Sequence, residues 1–117
     1  MIEEWTRCRP WIEAALEHAG DFYNADDILA EIERGEAIFW PGEKAAVVTQ
    51  IWDFPRAKAV NFWLAGGDLD ELRVMHDAIS TWAKAQGCTH SIIAGRAGWS
   101  RVLGYKTAWT AMSKELP

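Results

Sequence analysis

The stretch KAVNFWLAGGDLDELRVMHDAISTWAKAQGCTHSIIA, residues 58–94, decides the fold. It opens with Val60, Phe62 and Leu64 alternating with Asn61 and Trp63, the period of a strand, and its apolar content predicts that both faces are largely covered. Gly66-Gly67 breaks that pattern. Asp68 then caps a helix with Glu71 as its capping-box partner, and Leu69, Leu72, Met75, Ile79, Trp82 and Ala83 recur at helical spacing. Gly87 ends the helix, and Thr89–Ala94 is a short buried strand. Strand, helix and strand in this order predict a right-handed crossover between two parallel neighbours.

Upstream, Ala45–Phe54 is a second β-rich run. The turn Pro41-Gly42-Glu43-Lys44 separates it from Glu36–Trp40, and Pro55-Arg56 separates it from residues 58–65, so three antiparallel strands are expected in succession. Two helices come before them. The first has Pro10 in its first turn, Ile12, Ala15, Leu16 and Ala19 as its apolar stripe and Gly20 as its stop, with Met1–Trp5 as a short strand ahead of it. The second has Asn24 as N-cap, Asp26 and Asp27 in its first turn, Ile28, Leu29 and Ile32 on one face, and Gly35 as its stop. Downstream, Gly95-Arg96-Ala97-Gly98 is a loop, Trp99–Leu103 a short helix and Tyr105–Lys114 a last strand. The expected core includes Leu16, Ile28, Ile32, Val48, Phe62, Leu64, Leu72, Ile79 and Ile92.

With 117 residues and neither a linker-like run nor a repeat, the chain is expected to form one domain over residues 1–117. Its apolar stretches are all shorter than the roughly 18 residues of a membrane helix, and Met1-Ile2-Glu3-Glu4 does not lead into a signal-peptide core, so the expected setting is the cytoplasm. The net charge of -5 is unevenly spread: residues 1–36 hold ten acids against three bases, and residues 37–117 seven against nine. That balance argues against nucleic acid as a partner, since the phosphate backbone rewards a concentrated basic face. Cys8 and Cys88 have no Cys or His at ligand spacing, so neither a disulfide framework nor a metal site is expected. His76, beside Asp77 and one turn from Glu71, lacks the i,i+4 geometry of a two-ligand helix.

The order of elements resembles the GNAT (Gcn5-related N-acetyltransferase) family, an α/β (α+β) fold with a mixed sheet whose antiparallel first half is joined through a βαβ crossover to a short second half. The run GRAGWSRVLGYK, residues 95–106, carries the local likeness: Leu103-Gly104-Tyr105 is similar to the family's Gly-aromatic step into its last strands. GRAGW also resembles small GNAT-like proteins of bacteriophages and prophages. The resemblance implies acetyl-CoA as cofactor, its diphosphate on a loop patterned Gln/Arg-x-x-Gly-x-Gly/Ala before the long helix, where amides meet phosphate oxygens. The matching positions here are Gly66, Gly67 and Asp68, without a basic lead and with three carboxylates, Asp68, Asp70 and Glu71, where the anion would approach. Like charges about 5 Å apart repel by roughly 3 kcal/mol at an effective dielectric near 20. The family's acid, a Tyr four residues before the Gly of the pair, corresponds to Ser100, whose hydroxyl is a far weaker acid than a phenol. His90 is the remaining candidate base. The role of acid does not pass to Tyr105, which matches the aromatic of the pair.

Eight tryptophans exceed what a core of this size requires, and aromatic side chains dominate protein interfaces. Trp40, Trp52 and Trp99 are the candidates for a contact surface. The expected function is therefore that of a GNAT-like domain of phage or prophage type, without efficient acyl transfer and without a cofactor. It is expected to act by binding protein or by self-association as an assembly or virion-associated component. The alternative is an acetyl-CoA-dependent N-acyltransferase that holds CoA on backbone amides of a splayed strand and uses water in place of the Tyr.

Overall fold

The computed structural model of the chain describes residues 1–20, 22–94 and 102–117. Three helices and four strands are present among them: α1 (Ile2–Leu16), α2 (Ala25–Glu33), β1 (Ile38–Pro41), β2 (Ala45–Phe54), β3 (Ala57–Gly67), α3 (Leu69–Ala85) and β4 (His90–Ile93). The strands form one mixed sheet in the order β1-β2-β3-β4. β3 pairs antiparallel with β2 and parallel with β4, the arrangement that residues 58–94 predict.

The strand that was expected to be covered on both faces is so covered: Ala59, Val60, Asn61 and Phe62 are all buried in succession. On one face Trp5, Cys8, Ile12 and Leu16 of α1 and Ile28 of α2 meet Val48 and Leu64. On the other, Leu72, Ile79 and Ala83 of α3 meet Val47, Val60 and Phe62. Of the expected core, Ile32 and Ile92 are only partly buried, and the rest are buried. Cys8 and Cys88 are both buried free thiols, and burial pushes the Cys8 thiol up from its ordinary value.

Two expected strands do not form. Met1–Trp5 is not a strand, because α1 begins at Ile2 and runs through Pro10. The missing Pro10 amide leaves the Thr6 carbonyl without its helical partner, a defect of about 3 kcal/mol in an interior position. Pro10 itself is exposed, while the stripe Trp5, Cys8, Ile12 and Leu16 is buried across it. Burying large apolar side chains contributes about 1.5–3 kcal/mol each, so the stripe outweighs the proline. The second failure is Tyr105–Lys114, which carries no secondary structure. No strand partner reaches it in its own chain among the described residues. Of the short helix expected over 99–103, Val102 and Leu103 are helical and the remainder lies outside the described residues.

Asn24 caps α2 as expected, its side chain accepting from the Asp27 amide at 2.9 Å while the Asp27 carboxylate accepts from the Asn24 amide at 2.9 Å. At α3 the box is half formed. The Asp68 carboxylate accepts from the Glu71 amide at 2.9 Å, but the Glu71 carboxylate turns away and accepts from the Lys44 amide at 2.6 Å, bracing the β1–β2 turn. No helix is long and apolar enough to cross a membrane among the described residues.

Ile79 is 2% exposed at the centre of the α3 interface, so Ile79→Ala should cost about 2–5 kcal/mol in denaturant melts. A loss below about 1 kcal/mol would mean that this face of α3 does not bear on β3.

Candidate functional site

Between Val48↔Leu64 and Thr49↔Phe62 the β2–β3 register shifts, leaving Trp63 as one extra residue on β3. Such a bulge bends its strand and raises the local twist. It falls where the pairing with β4 ends, at Phe62↔Ile93. From Trp63 to Gly67 the strand keeps β2 on one edge and has no strand on the other among the described residues. A groove of about 1030 Å³ lies beside this stretch, past the end of the β3–β4 pairing.

The groove is walled by Ala15 and Ala19 of and beyond α1, by Leu72 and His76 of α3, and by Ile93 and Ala94 at the end of β4. Its titratable side chains among the described residues are Glu17, His18 and His76, with neither Lys nor Arg. The walls are otherwise largely apolar, and the open strand edge supplies the main-chain hydrogen-bonding groups.

Gly66 and Gly67 line this groove and Asp68 follows them, and each is taken up by packing. A side chain on Gly66 would collide with the backbone carbonyl of Trp11 in α1, so the glycine lets helix and strand touch. Gly67 has φ +109° and faces the Lys44 carbonyl. The Asp68 amide donates to that carbonyl at 2.9 Å, and the Glu71 amide is held by the Asp68 carboxylate. Two donors that a phosphate would use at a helix start thus already have acceptors.

At the outer rim the structure assembles a cluster that sequence spacing did not reveal. The His76 ring lies on Phe62, centroids 4.8 Å apart, with Nδ1 at 3.2 Å from the Asp77 carboxylate and Nε2 at 2.8 Å from the Tyr105 hydroxyl. The Tyr105 hydroxyl also meets the Ser91 hydroxyl. With Nδ1–H donating to Asp77, a neutral ring accepts the phenol proton at Nε2, and Tyr105 accepts in turn from Ser91. Burial pushes the Tyr105 phenol above its ordinary value, opposed by the Ser91 hydrogen bond. The cluster holds the proton on the phenol oxygen, with the hydroxyl directed at the ring. One signal was available in sequence: His76 stands four residues after Leu72 and three before Ile79, both core positions, which places it on the edge of the buried stripe.

The remaining candidates are dispersed. His90 is exposed at the opposite end of β4 from the groove and contacts Thr89 Oγ1 at 2.8 Å. Ser100 and Trp99 lie outside the described residues. Trp40 is half-buried, donates to Thr49 Oγ1 at 2.9 Å and packs edge-on against Trp82, centroids 5.1 Å apart. Trp52 is half-buried beside Phe54, near the β2–β3 turn. Trp109, which was not singled out, is 58% exposed. Among the described residues no three His, Cys, Asp or Glu side chains converge as metal ligands do.

These features define a mixed α/β domain with a groove beside the end of its parallel strand pair. Its fold is similar to that of the BH1408 protein from Bacillus halodurans. The crystal structure of a single-site mutant of that protein matches with a TM-score of 0.67 at 15% identity, covering 100% of this chain and 96% of the other. A high-resolution structure of its tetramutant matches with a TM-score of 0.69 at 15% identity, covering 99% and 96%. At this identity the likeness is one of fold alone. No protein-family model matches the chain, and no curated protein matches it in sequence.

Replacing Tyr105 by Phe removes both hydrogen bonds at the rim and should cost about 1–2 kcal/mol at neutral pH. A phenol that ionises later in the folded chain than in the unfolded one contributes stability that is whole below its unfolded value near 10 and declines as pH rises toward the folded value. Urea melts from pH 8 to 11 should therefore show an alkaline decline that is smaller in Tyr105→Phe. Equal declines would separate Tyr105 from that pH dependence.

Proposed function

We propose that this chain is a GNAT-like domain of phage or prophage type that does not carry out efficient acyl transfer and acts by binding protein, as an assembly or virion-associated component. The observation that carries this reading is the state of the α3 start. Its Asp68 and Glu71 amides are bound to acceptors of the chain itself, its two glycines are filled by Trp11 and Lys44, and the groove leading to it has neither Lys nor Arg among the described residues. A CoA diphosphate brought there would meet Asp68 and Asp70 with only part of a helix terminus to hold it. A helix start favours an exposed anion by about 0.3–1 kcal/mol, too little to offset those carboxylates. What remains in the groove is an apolar trough beside a strand edge that has no partner strand among the described residues, which suits an extended polypeptide. No cofactor is required, and the expected setting is the cytoplasm or the virion.

The rim cluster favours a second reading, an acetyl-CoA-dependent N-acyltransferase. Here the acid would be Tyr105 instead of water, although the resemblance itself does not pass that role to it: its phenol lies against His76, whose ring lines the groove. In that case Tyr105→Phe would lower turnover far more than it changes KM for the acceptor.

Calorimetric titration with acetyl-CoA at moderate salt separates the two. An ordinary cofactor affinity near 10 μM corresponds to about 7 kcal/mol, and losing roughly 3 kcal/mol of phosphate recognition leaves a dissociation constant near the millimolar range. That weak binding is the expected result. A constant below about 50 μM would reverse the order of the two readings.

A further inference from the structure

We propose that Val102–Ala111 is a strap on the groove, latched by Tyr105 and hinged at Gly104, so that a polypeptide enters the groove only when the strap is unlatched. The inference rests on the protein-binding reading above and adds a regulation to it.

The strap is part of the site. Val102, Leu103 and Ala111 line the groove together with Leu64 of β3 and Leu72 of α3. An extended chain laid in the groove competes with these side chains for the same apolar walls.

Its attachment is concentrated in one residue. Among the described residues after Leu103, Tyr105 alone forms hydrogen bonds with the rest of the chain, to His76 of α3 at 2.8 Å and to Ser91 of β4. Its half-buried ring also meets the His76 ring edge-on, centroids 5.7 Å apart. Every residue from Lys106 to Pro117 is exposed and without secondary structure. An attachment of two hydrogen bonds is weak enough to open while the sheet stays folded. The residue before the latch suits a hinge. Gly104 has φ +76°, and a Cβ there would meet nothing within 4 Å among the described residues. Glycine takes this left-handed conformation without steric cost, and the open space lets the chain swing there without a clash. A ligand that needs the groove open then binds with an apparent affinity reduced by the fraction of chains that are unlatched.

Trypsin digestion of the full chain reads the latch, because Lys106 directly follows Tyr105 while Lys114 lies farther along, and both are exposed. Cleavage needs a stretch of backbone released from the fold, so Lys106 should be cut about tenfold more slowly than Lys114. Tyr105→Phe should raise the Lys106 rate by about tenfold and leave the Lys114 rate unchanged. His76→Gln should do the same without altering the sequence around Lys106. Lys84, within α3, reports global unfolding and should stay uncut; if it is cut in one variant, the other decides. Nile red, an uncharged dye that brightens in apolar surroundings, should bind both variants more tightly by the same factor. Equal rates at Lys106 and Lys114 in the unaltered chain, or a Lys106 rate that neither variant changes, would overturn the latch. A freed Lys106 with unchanged Nile red binding would overturn the gating. Acetyl-CoA titrated into the unaltered chain separates the failures: a constant below about 50 μM sinks the protein-binding reading, whereas weak acetyl-CoA binding beside an inert strap sinks only the strap.

Discussion

The structure depends on β3 being enclosed on both faces at once. α1 and α2 press on one side and α3 on the other, and four consecutive buried residues leave no face for water. A strand in that position can communicate with solvent only along an edge. β2 occupies one edge for its whole length, and β4 occupies the other only as far as Phe62. The groove is thus the one stretch where the central strand's backbone meets anything besides its own fold among the described residues. The extra residue at Trp63 coincides with that boundary and lets Trp63 pack edge-on against Tyr23, centroids 4.9 Å apart, while Leu64 stays in the core.

Much of this was legible from local chemistry. The bounds of β2 follow from the Pro41–Lys44 turn and Pro55-Arg56, and the start of α2 follows from Asn24 and Asp27, because each signal acts through neighbours in sequence. Pro10 misleads for the same reason. It reports a local preference, and the burial of Trp5 and Cys8 against Phe39 and the rest of that cluster, which overrides it, depends on residues more than thirty positions away. The final strand misleads in the opposite direction. Tyr105–Lys114 has the composition of a strand, but a strand exists only with a partner, and composition carries no information about whether one is present.

The candidate site was legible in part. Gly66, Gly67 and Asp68 mark the inner end of the groove, but their sequence says nothing of Trp11 and Lys44, which occupy the space around them. His76, Ser91 and Tyr105 come from α3, β4 and the segment after Leu103, with spacings of 14 and 29 positions for the two contacts made by the phenol. No local motif joins them. The aromatic surplus likewise divides only in three dimensions: Trp5 and Trp40 serve the interior, whereas Trp109 is turned outward.

The contact of Gly66 with the Trp11 carbonyl also bears on how such a domain can change over generations. The stretch before α3 is held by α1 from one side, by the β1–β2 turn from another, and by the Asp68 cap from within. Larger side chains at 66 or 67 collide with backbone, and loss of Asp68 exposes the helix start, a change of about 1 kcal/mol. Anion binding at this loop would need the helix, the turn and the cap to move together. Evolution by single substitutions meets a barrier at each first step, so this loop is held against change from three directions at once.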